Sequence, residues 1–578
     1  MPGILTADLW PEVPLWPTKN YAELALERPE FQAWDNFTLQ IDGVTGKKRK
    51  FREFLDLVAD AATALGAGGL GLTAEQGFVG LMSENCMDYP VIVYALFKIG
   101  VPFSLIPSLV TPAESRTLLK LSDARTLFVS PRLLPIALEA AKETGLPESR
   151  IFVLGGHVAG RTSFSDLYHR VQSKKIPRVP YALVKEDSIA YMVFSSGTSG
   201  LPKGVLLSHK NIYYGALQIA IMLEKSATVL TPPKLDTPEG IPVALVVLPM
   251  YHTMGLHAFI IRMLFAPSTF VYLPKWNPER VAESIHKYKI TSLSMVPSMA
   301  HQLATHAKLR KVNLDGILSI NTGAAYLPPE LRSKLAHRAK NVISLTEGYG
   351  MSECTVAAIV EPIKQLFAHI QPTPGLTGVL IPSMRARIVR EDGSDAEFDE
   401  PGELLLQGGN VAMGYYKNPK ATAETFDAEG WLHTGDRFKV DKIGRYFYVD
   451  RAKDTLKVSG TQVSPLEIED TLLVHPGGFI TDVAVAGVPG TRMSDEKVPR
   501  AWIVLSERGR KAGRKQVAHE LEAWIKERLS RPKWLRGGIG FIDEIPKLPT
   551  GKVLRRKLQE DYAAAVAAQG GPKAQAKL

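Results

Sequence analysis

The sequence predicts an α/β protein with a large N-terminal domain and a smaller α+β C-terminal domain. Within the large domain we expect two β-α-β sheet subdomains plus a small β-barrel-like subdomain. Three observations support this. Apolar runs alternate with amphipathic stretches over roughly the first 450 residues, short strands and turns begin near residue 378, and the last part combines strands with one long helix. A chain of 578 residues is also too long for a single core.

The β-α-β pattern is clearest in two stretches. "GFVGLM" precedes "DYPVIVYALFKIG", and "TFVYL" precedes "NPERVAESIHKYK" and "ITSLSMVP". Apolar runs that alternate with amphipathic stretches in this way are typical of parallel sheets covered by helices. Asn277 is predicted as the N-cap of the helix in "NPERVAESIHKYK", with Pro278 at the first helical position.

The later part of the chain has a different pattern. "RARIVREDG", "GELLLQG" and "RYFYVDR" are short β-prone runs bounded by turn residues, which indicates the small β-rich subdomain. Further on, "DVAVAGVPG", "RAWIVLS" and a helix at "KQVAHELEAWIKERLSR" indicate the α+β unit. We predict an N-terminal domain at residues 1–451, a C-terminal domain at 452–562 and a low-complexity, disordered tail at 563–578.

Composition excludes several classes of protein. The chain is 45% hydrophobic and 22% charged, as in ordinary globular proteins. No uninterrupted apolar run reaches the roughly 18–20 residues of a membrane span. Cys86 and Cys354 are the two cysteines of the chain, so a disulfide framework is not expected. Because the N-terminus also lacks a secretory pattern, we predict a soluble intracellular protein.

The net charge of +10 is concentrated near the C-terminus. Residues 452–578 carry 22 Lys or Arg against 15 Asp or Glu, a net charge of +7. Charge alone allows a nucleic-acid-binding protein, but no basic run is interleaved with aromatic residues and no zinc-finger or RNA-binding motif is present. We therefore favour a domain that serves a polyanionic small molecule and expect no nucleic-acid partner.

A glycine-rich loop follows an apolar run in "MVFSSGTSGLPKGVLLSH", residues 192–209. Glycines let backbone N–H groups approach a ligand, hydroxyls donate further hydrogen bonds, and Lys203 adds a positive charge. The common P-loop is excluded because Gly200 is followed by Leu201 rather than lysine. A polyphosphate fits this set, whose candidate binding residues are Ser195, Ser196, Gly197, Thr198, Ser199, Gly200 and Lys203.

The whole string resembles the phosphate-loop signature of the adenylate-forming superfamily. That superfamily includes acyl-CoA synthetases, 4-coumarate–CoA ligases, firefly luciferase and peptide-synthetase adenylation domains. Further segments resemble its later motifs in the expected order: "NTGAAYL", "EGYGMSE", "WLHTGD", "DRAKDTLKVSGTQVSPLEIE" and "PKLPTGKVLRR". Ordered motifs over roughly 360 residues identify the chain as a member of this superfamily.

The resemblance implies ATP, Mg²⁺ and coenzyme A as the cofactors and co-substrates. The positions of the matching residues in the motifs imply a role for each of them. Around the base, Gly323 and Ala324 would run beside adenine and Tyr349 would stack on it; at the phosphates, Ser352 would bond the α-phosphate and Glu353 would hold Mg²⁺. Asp436 and Arg451 would bind the ribose, Lys453 would lie at the hinge, and Lys552 would assist adenylation. Taken alone, Lys552 would be read as a solvated lysine and Glu353 as a carboxylate at a helix N-terminus; the motif context makes them catalytic candidates.

A second reaction step is also implied by the resemblance. In the family, the C-terminal domain is mobile and rotates about the hinge between adenylation and thioester formation. After that rotation, Lys457 and Gly460 would lie near the acyl centre and the pantetheine channel. Lys275, in "LPKWNP", matches a coenzyme A contact of plant 4-coumarate ligases. Ser459 stands where those ligases carry a lysine, so that contact departs from the family pattern.

The acid pocket is expected around "LPMYHTMGLHAF". A lone histidine beside apolar residues is more often a core residue, yet His252 matches the family histidine at the mouth of the acyl pocket. Met254 and Ala258 match positions that line the pocket of 4-coumarate-type ligases, and Met351 is assigned to the same pocket. None of the last three is charged, so we predict a largely apolar acid, either a medium-chain fatty acid or an aryl acid.

The resemblance implies an AMP-forming acid–thiol ligase that makes an acyl-CoA through an acyl-AMP intermediate. The alternative is a stand-alone adenylating enzyme that loads its acyl-AMP onto a carrier protein's phosphopantetheine. A luciferase-like oxygenating activity and a catalytically dead scaffold are disfavoured. The last residues, Ala576, Lys577 and Leu578, resemble the S-K-L address, which predicts a peroxisomal location through the import receptor, with the cytoplasm as alternative.

Overall fold

A computed structural model gives the structure of the chain. It describes residues 3–196, 202–231, 233–324, 327, 329–363, 365–367, 370, 373, 375–451, 456–458, 461–490, 497–529, 531–547, 551 and 553–568. Within this described part, no helix is both long and apolar enough to cross a membrane.

The described residues form 26 β-strands. The strands before the glycine-rich loop are β1 Leu5–Thr6, β2 Thr38–Asp42, β3 Lys48–Lys50, β4 Phe78–Met82, β5 Phe103–Leu105, β6 Ala124–Val129, β7 Ile151–Val153 and β8 Ile189–Ser196. The middle strands are β9 Pro202–Ser208, β10 Val243–Val246, β11 Thr269–Tyr272, β12 Ser292–Met295, β13 Ser319–Gly323, β14 Ser344–Tyr349, β15 Ile359–Val360, β16 Leu376–Leu380, β17 Arg385–Val389 and β18 Gly402–Gln407. The last are β19 Gly414–Tyr415, β20 Leu432–Val440, β21 Tyr446–Arg451, β22 Leu456–Val458, β23 Thr461–Val463, β24 Ile480–Pro489, β25 Lys497–Leu505 and β26 Ile539–Phe541.

The α-helices of the same residues cover the sheets. The first eight are α1 Tyr21–Leu26, α2 Phe51–Leu65, α3 Asp88–Lys98, α4 Pro112–Ser122, α5 Leu134–Thr144, α6 Phe164–Lys174, α7 His209–Val229 and α8 Thr253–Leu256. The remaining ones are α9 Pro278–Lys287, α10 Pro297–Thr305, α11 Pro329–Arg338, α12 Pro419–Thr425, α13 Pro465–Leu473, α14 Glu507–Ala512, α15 Arg514–Arg528 and α16 Arg555–Ala568.

The first sheet contains the strands that flank the glycine-rich loop. Its seven strands run in the order β19-β9-β8-β5-β4-β6-β7. The pairs from β8 to β7 are parallel, whereas β9 is antiparallel to β8. Helix α3 is buried along nearly its whole length and packs against α2, which explains why its sequence is almost continuously apolar. These observations confirm the predicted first β-α-β subdomain.

The second sheet joins two kinds of strand pairing. Its 14 strands run in the order β1-β17-β18-β20-β21-β16-β15-β14-β13-β12-β10-β11-β2-β3. Strands β10 to β14 pair in parallel, while β14 to β21 and β17 to β20 pair antiparallel. The small β-rich subdomain is therefore hydrogen-bonded to the second β-α-β sheet through β14 and β15.

Helix α9 illustrates how closely the sequence specifies some elements. The Asn277 side chain accepts hydrogen bonds from the backbone N–H groups of Glu279 (3.1 Å) and Arg280 (2.9 Å). Pro278 occupies the first helical position, where its missing N–H costs nothing. The predicted N-cap is confirmed.

The C-terminal domain is built on a three-stranded sheet, β24-β25-β26, and the hairpin of β22 and β23. Helices α13 and α15 bury Ile468, Leu472, Val517, Leu521 and Ile525 in its core. The α+β prediction is confirmed. The predicted domain boundary after residue 451 adjoins residues 452–455, which lie outside the described residues, so it stays a prediction.

The tail prediction needs a correction at its start. Helix α16 continues to Ala568, so residues 563–568 are helical rather than disordered. The cause is visible in "DYAAAVAA": alanine is the best helix former, and Leu558 and Tyr562 anchor the helix in the apolar core. Residues 569–578 lie outside the described part of the chain.

Candidate active site

A cavity of about 2070 Å³ is lined by residues of both domains. The N-terminal domain contributes the end of β8, the start of β9, the end of β14 and the turn that follows it. The C-terminal domain contributes α13 and the segment around Gly551. Because β13 and β14 are parallel, their carboxyl ends meet at this cavity, which is where open α/β sheets bind ligands.

The strands on either side of the glycine-rich loop reach this cavity. Strands β8 and β9 pair antiparallel, with Ser195 opposite Lys203. Ser195 and Lys203 both line the cavity. The predicted loop residues Gly197, Thr198, Ser199 and Gly200, and the side chain of Ser196, lie outside the described residues. Their phosphate contacts stay predictions.

Tyr349 and Asp436 form one wall of the cavity. The Tyr349 hydroxyl donates a hydrogen bond of 2.8 Å to Oδ2 of Asp436, and the Tyr349 ring packs edge-on against Phe438 at 4.7 Å between centroids. Burial raises the pKa of Tyr349 well above its ordinary value, so its hydroxyl stays a donor at neutral pH. An aromatic ring fixed beside a carboxylate suits a nucleoside, whose base stacks and whose ribose hydroxyls donate hydrogen bonds.

Two glycines at the ends of β13 and β14 allow the backbone to approach its neighbours closely. A Cβ at Gly350 would lie 1.8 Å from the Val356 carbonyl oxygen, so no other residue fits there. A Cβ at Gly323 would lie 3.2 Å from the Gly348 carbonyl oxygen. Ala324, which lines the cavity, has a φ of 67°, and strained backbone of this kind clusters at binding sites.

Ser352 and Glu353 follow on the 3₁₀ turn Ser352–Cys354 and line the cavity. The Thr253 hydroxyl donates to the Ser352 hydroxyl at 3.2 Å. Glu353 is 5% exposed, and its Oε1 accepts a hydrogen bond of 2.8 Å from the Tyr415 hydroxyl. Thr253 and Tyr415 had no predicted role, because each contacts a partner that is far away in the sequence.

Glu353 is the carboxylate here that could hold a divalent cation. No cluster of three or more His, Cys, Asp or Glu residues suited to a metal ion occurs in the part of the chain that the structure describes. Mg²⁺ is usually bound by one or two carboxylates together with substrate phosphates and water, rather than by an all-protein cage. A single carboxylate at the phosphate end of the cavity fits that donor set.

His252 lies where the predicted acyl pocket begins. It is the N-cap of α8 and lines the cavity. Its Nε2 is buried and finds no hydrogen-bond partner among the described residues. Burial lowers the pKa of His252 to about 4, so the ring is neutral at physiological pH. An unpartnered imidazole nitrogen at a cavity wall is available to a ligand.

Only some of the predicted acid-pocket residues line the cavity. Met351 lines the cavity with His252, whereas Met254 and Ala258 are not among its lining residues. Met254 lies on α8, which is only four residues long, and Ala258 lies on the π-helix His257–Ile261 that follows. Both residues are half-buried against the main core, and the Met254 thioether lies against Gly323. Their role in the pocket stays a prediction.

The remaining predicted residues belong to the C-terminal part or the surface. Arg451 ends β21 opposite Asp436 in register, and Lys457 lies in the β22–β23 hairpin, but the side chains of both are outside the described residues. Lys453, Ser459, Gly460 and Lys552 lie outside them altogether. Gly551 and Val553, which flank Lys552, line the cavity. Lys275 is exposed and does not line it.

Glu347 is an acidic residue of the cavity that had no predicted role. Its Oε1 accepts a hydrogen bond of 3.2 Å from the backbone N–H of Leu327. Burial raises the pKa of its carboxyl from 4.5 to about 7, while Arg332 opposes this rise and Glu361 adds to it. The folded protein therefore retains a proton that the unfolded chain releases near pH 4.5, and stability falls as the pH rises from about 4.5 to about 7.

Replacing Glu347 by glutamine is expected to remove this pH dependence. The variant keeps an acceptor for the Leu327 N–H but never ionises, so above pH 7 it should be more stable than the parent by about 1–3 kcal/mol. Thermal unfolding midpoints of both proteins between about pH 5 and about pH 8 provide the measurement. If the unfolding midpoints of the two proteins differed by the same amount at every pH in this range, the raised pKa of Glu347 would be contradicted.

The similarity of the chain to known proteins agrees with this geometry. Residues 28–416 match the family model described as AMP-binding enzyme, and residues 467–552 match that of the AMP-binding enzyme C-terminal domain. An acyl-CoA ligase of Alternaria alternata is 32% identical over 495 residues, covering 83% of this chain and 82% of the relative. A 4-coumarate–CoA ligase of Oryza sativa is 30% identical over 532 residues, covering 91% and 92%.

Solved structures have the same fold. An anthranilate CoA ligase in complex with anthranoyl-AMP superposes with a TM-score of 0.81 at 25% identity, covering 96% of this chain and 99% of the other. A benzoate CoA ligase from Burkholderia xenovorans gives a TM-score of 0.77 at 23% identity, covering 94% and 100%. The chain therefore belongs to the AMP-binding enzyme family and, like these relatives, is an acid–thiol ligase of the adenylate-forming superfamily.

Proposed function

We propose that this chain is an ATP-dependent acyl-CoA synthetase that activates a largely apolar carboxylic acid, either a medium-chain fatty acid or an aryl acid. One observation carries the proposal: three kinds of functional group line the same cavity. Tyr349 and Asp436 suit a nucleoside, Lys203 and Glu353 suit its phosphates, and neutral His252 stands beside them. The names of the relatives, acyl-CoA and aryl-CoA ligases, support the same substrate classes.

The first half-reaction joins the acid to AMP. A carboxylate oxygen of the acid attacks the α-phosphorus of ATP, the bond to the bridging oxygen breaks, and pyrophosphate leaves with its electron pair. The obstacle is electrostatic, because an anion must approach a highly charged nucleotide. Lys203 would offset part of that charge, and Mg²⁺ held beside Glu353 would supply further positive charge to the phosphates. The neutral His252 ring adds no charge of its own near the acyl carbonyl.

In the second half-reaction, the coenzyme A thiolate attacks the acyl carbon and AMP leaves. We propose that the C-terminal domain rotates between the two steps, so that Lys552 withdraws and Lys457 approaches. Lys275, Ser459 and Gly460 remain proposed coenzyme A contacts. The alternative acceptor is the phosphopantetheine thiol of a carrier protein, which presents the same nucleophile.

A panel of carboxylic acids tests the proposal by pyrophosphate release in the presence of ATP and Mg²⁺. Medium-chain and aryl acids should give release, and added coenzyme A should convert the bound acyl-AMP to a thioester that mass spectrometry identifies. Pyrophosphate release with thioester formation on a carrier protein but not on coenzyme A would establish the alternative. Absence of pyrophosphate release with every acid would contradict the proposed function.

We also propose a peroxisomal location, which rests on Ala576, Lys577 and Leu578. Removing these three residues should move a protein tagged at its N-terminus from peroxisomes to the cytosol, as fluorescence microscopy would detect. Its kinetic constants should not change, because the sequence of this Gly- and Pro-containing tail is of a kind that a folded core is not expected to need. A full-length protein that is already diffuse in cells would contradict this assignment.

A further inference from the structure

Tyr415 contacts two groups that the proposed adenylation needs, and it has no role in the mechanism so far. We propose that Tyr415 is a positioning residue that keeps Glu353 and Lys203 apart and aims both at the phosphates and the cation of bound Mg·ATP. This inference rests on the proposed function, since it concerns the same nucleotide site.

The two contacts come from opposite parts of one side chain. The Tyr415 hydroxyl donates to Oε1 of Glu353 at 2.8 Å, and the Lys203 ammonium stands 4.7 Å from the centre of the Tyr415 ring. All three side chains line the cavity. Within the described part of the chain, Lys203 forms no ion pair with a carboxylate. The face of the Tyr415 ring is therefore the group that attracts its ammonium there.

Local structure fixes the position of the tyrosine. Strand β19 pairs with β9, placing Tyr415 opposite Val205, two residues after Lys203. The Tyr415 N–H donates to the Thr422 hydroxyl at 3.0 Å, and its ring packs edge-on against Phe426 at 5.8 Å. Tyr415 is 8% exposed. Because the Tyr415 side chain is already held in place, it loses little conformational entropy when it forms these contacts.

Electrostatics explain why the two groups need a spacer. An ammonium and a buried carboxylate that share one neighbour attract each other strongly where water is excluded. If they paired directly, the ion pair would have to break before phosphate and cation could bind. The hydroxyl donates a hydrogen bond to one oxygen of Glu353 without placing a positive charge beside it, and the ring attracts the ammonium without neutralising it.

Equilibrium binding of ATP without any acid substrate tests the proposal, because no turnover then occurs. Calorimetry with Mg²⁺ and, separately, with EDTA would compare the parent with Tyr415→Phe, Tyr415→Leu and the control Tyr416→Phe. Tyr416 is the adjacent tyrosine, and its hydroxyl reaches Asp123 at 3.4 Å rather than Glu353. Tyr415→Phe should weaken Mg·ATP binding about 10-fold and leave binding in EDTA nearly unchanged.

Tyr415→Leu should weaken binding in both conditions, because Lys203 also loses the ring. In steady-state assays the loss for Tyr415→Phe should appear in KM for Mg·ATP more than in kcat. Tyr416→Phe should bind as the parent does. Equal losses with Mg²⁺ and with EDTA for Tyr415→Phe, or no loss, would overturn the positioning role. A parent protein that binds no ATP in either condition would instead overturn the proposed function.

Discussion

Replacing Lys552 by alanine is expected to slow acyl-AMP formation about 10²–10³-fold, the scale of removing one charge partner of a transition state. The lysine itself lies outside the described residues, but Gly551 and Val553 on either side of it are described. Gly551 and Val553 both line the cavity, and a Cβ at Gly551 would lie 3.4 Å from the Ser298 hydroxyl of the N-terminal domain. The two residues that flank Lys552 in the sequence therefore lie at the cavity that the other charged groups line.

The two half-reactions separate this effect from a general loss of structure. Thioester formation from supplied acyl-AMP should stay largely intact in Lys552→Ala, while pyrophosphate release falls. Lys457→Ala should instead slow thioester formation more than acyl-AMP formation, because Lys457 is proposed to reach the site only after the domain rotates. Lys557→Ala is a matched control, because Lys557 is exposed on α16 and pairs with Asp561 at 3.4 Å. Both half-reactions falling together in a folded Lys552→Ala protein would contradict the assignment.

Much of the fold was predictable because local signals and tertiary structure agree. Strands β4, β11 and β12 and helices α3 and α9 appear where the alternating runs placed them, and Asn277 caps α9 as its side-chain chemistry predicts. The hydrogen-bonded continuity between the second β-α-β sheet and the β-rich subdomain was not predicted. It depends on β14 pairing with the two-residue strand β15, which is too short to give a periodic signal.

The candidate site was predictable where one short motif carries several groups. Tyr349, Ser352 and Glu353 lie within five residues and line one cavity. Tyr415 lies 62 residues after Glu353, and Thr253 lies 99 residues before Ser352. No periodicity or local motif links such pairs; only the fold brings them together. The π-helix after Leu256 could not be predicted either, because its residues are types that are equally common in α-helices and apolar cores.

That π-helix bears directly on the acid pocket. Met254 lies on α8, and its thioether carbon would be 3.4 Å from a Cβ at Gly323, which precedes the cavity-lining Ala324. Ala258 follows Met254 by four residues and is half-buried. The chain passes from α8 into the π-helix between these two residues, and the wider turn of a π-helix keeps residues four apart within about one turn of each other. An acyl tail that passes His252 and Met254 would then meet Ala258 further from its carboxylate.

Enlarging Ala258 to phenylalanine is therefore expected to shorten the preferred acid. Turnover of short acids such as butanoate should be largely kept, while kcat/KM for longer or ring-bearing acids should fall about 10–200-fold, or about 1–3 kcal/mol for each methylene-sized clash. The KM for ATP should barely change, because the nucleoside and phosphate groups lie on other segments. Ala282→Phe is the matched control, since Ala282 is another half-buried alanine packed against the same core but lies on α9. Equal losses for short and long acids in Ala258→Phe, or the same chain-length shift in Ala282→Phe, would mean that Ala258 is structural and that the pocket lies elsewhere.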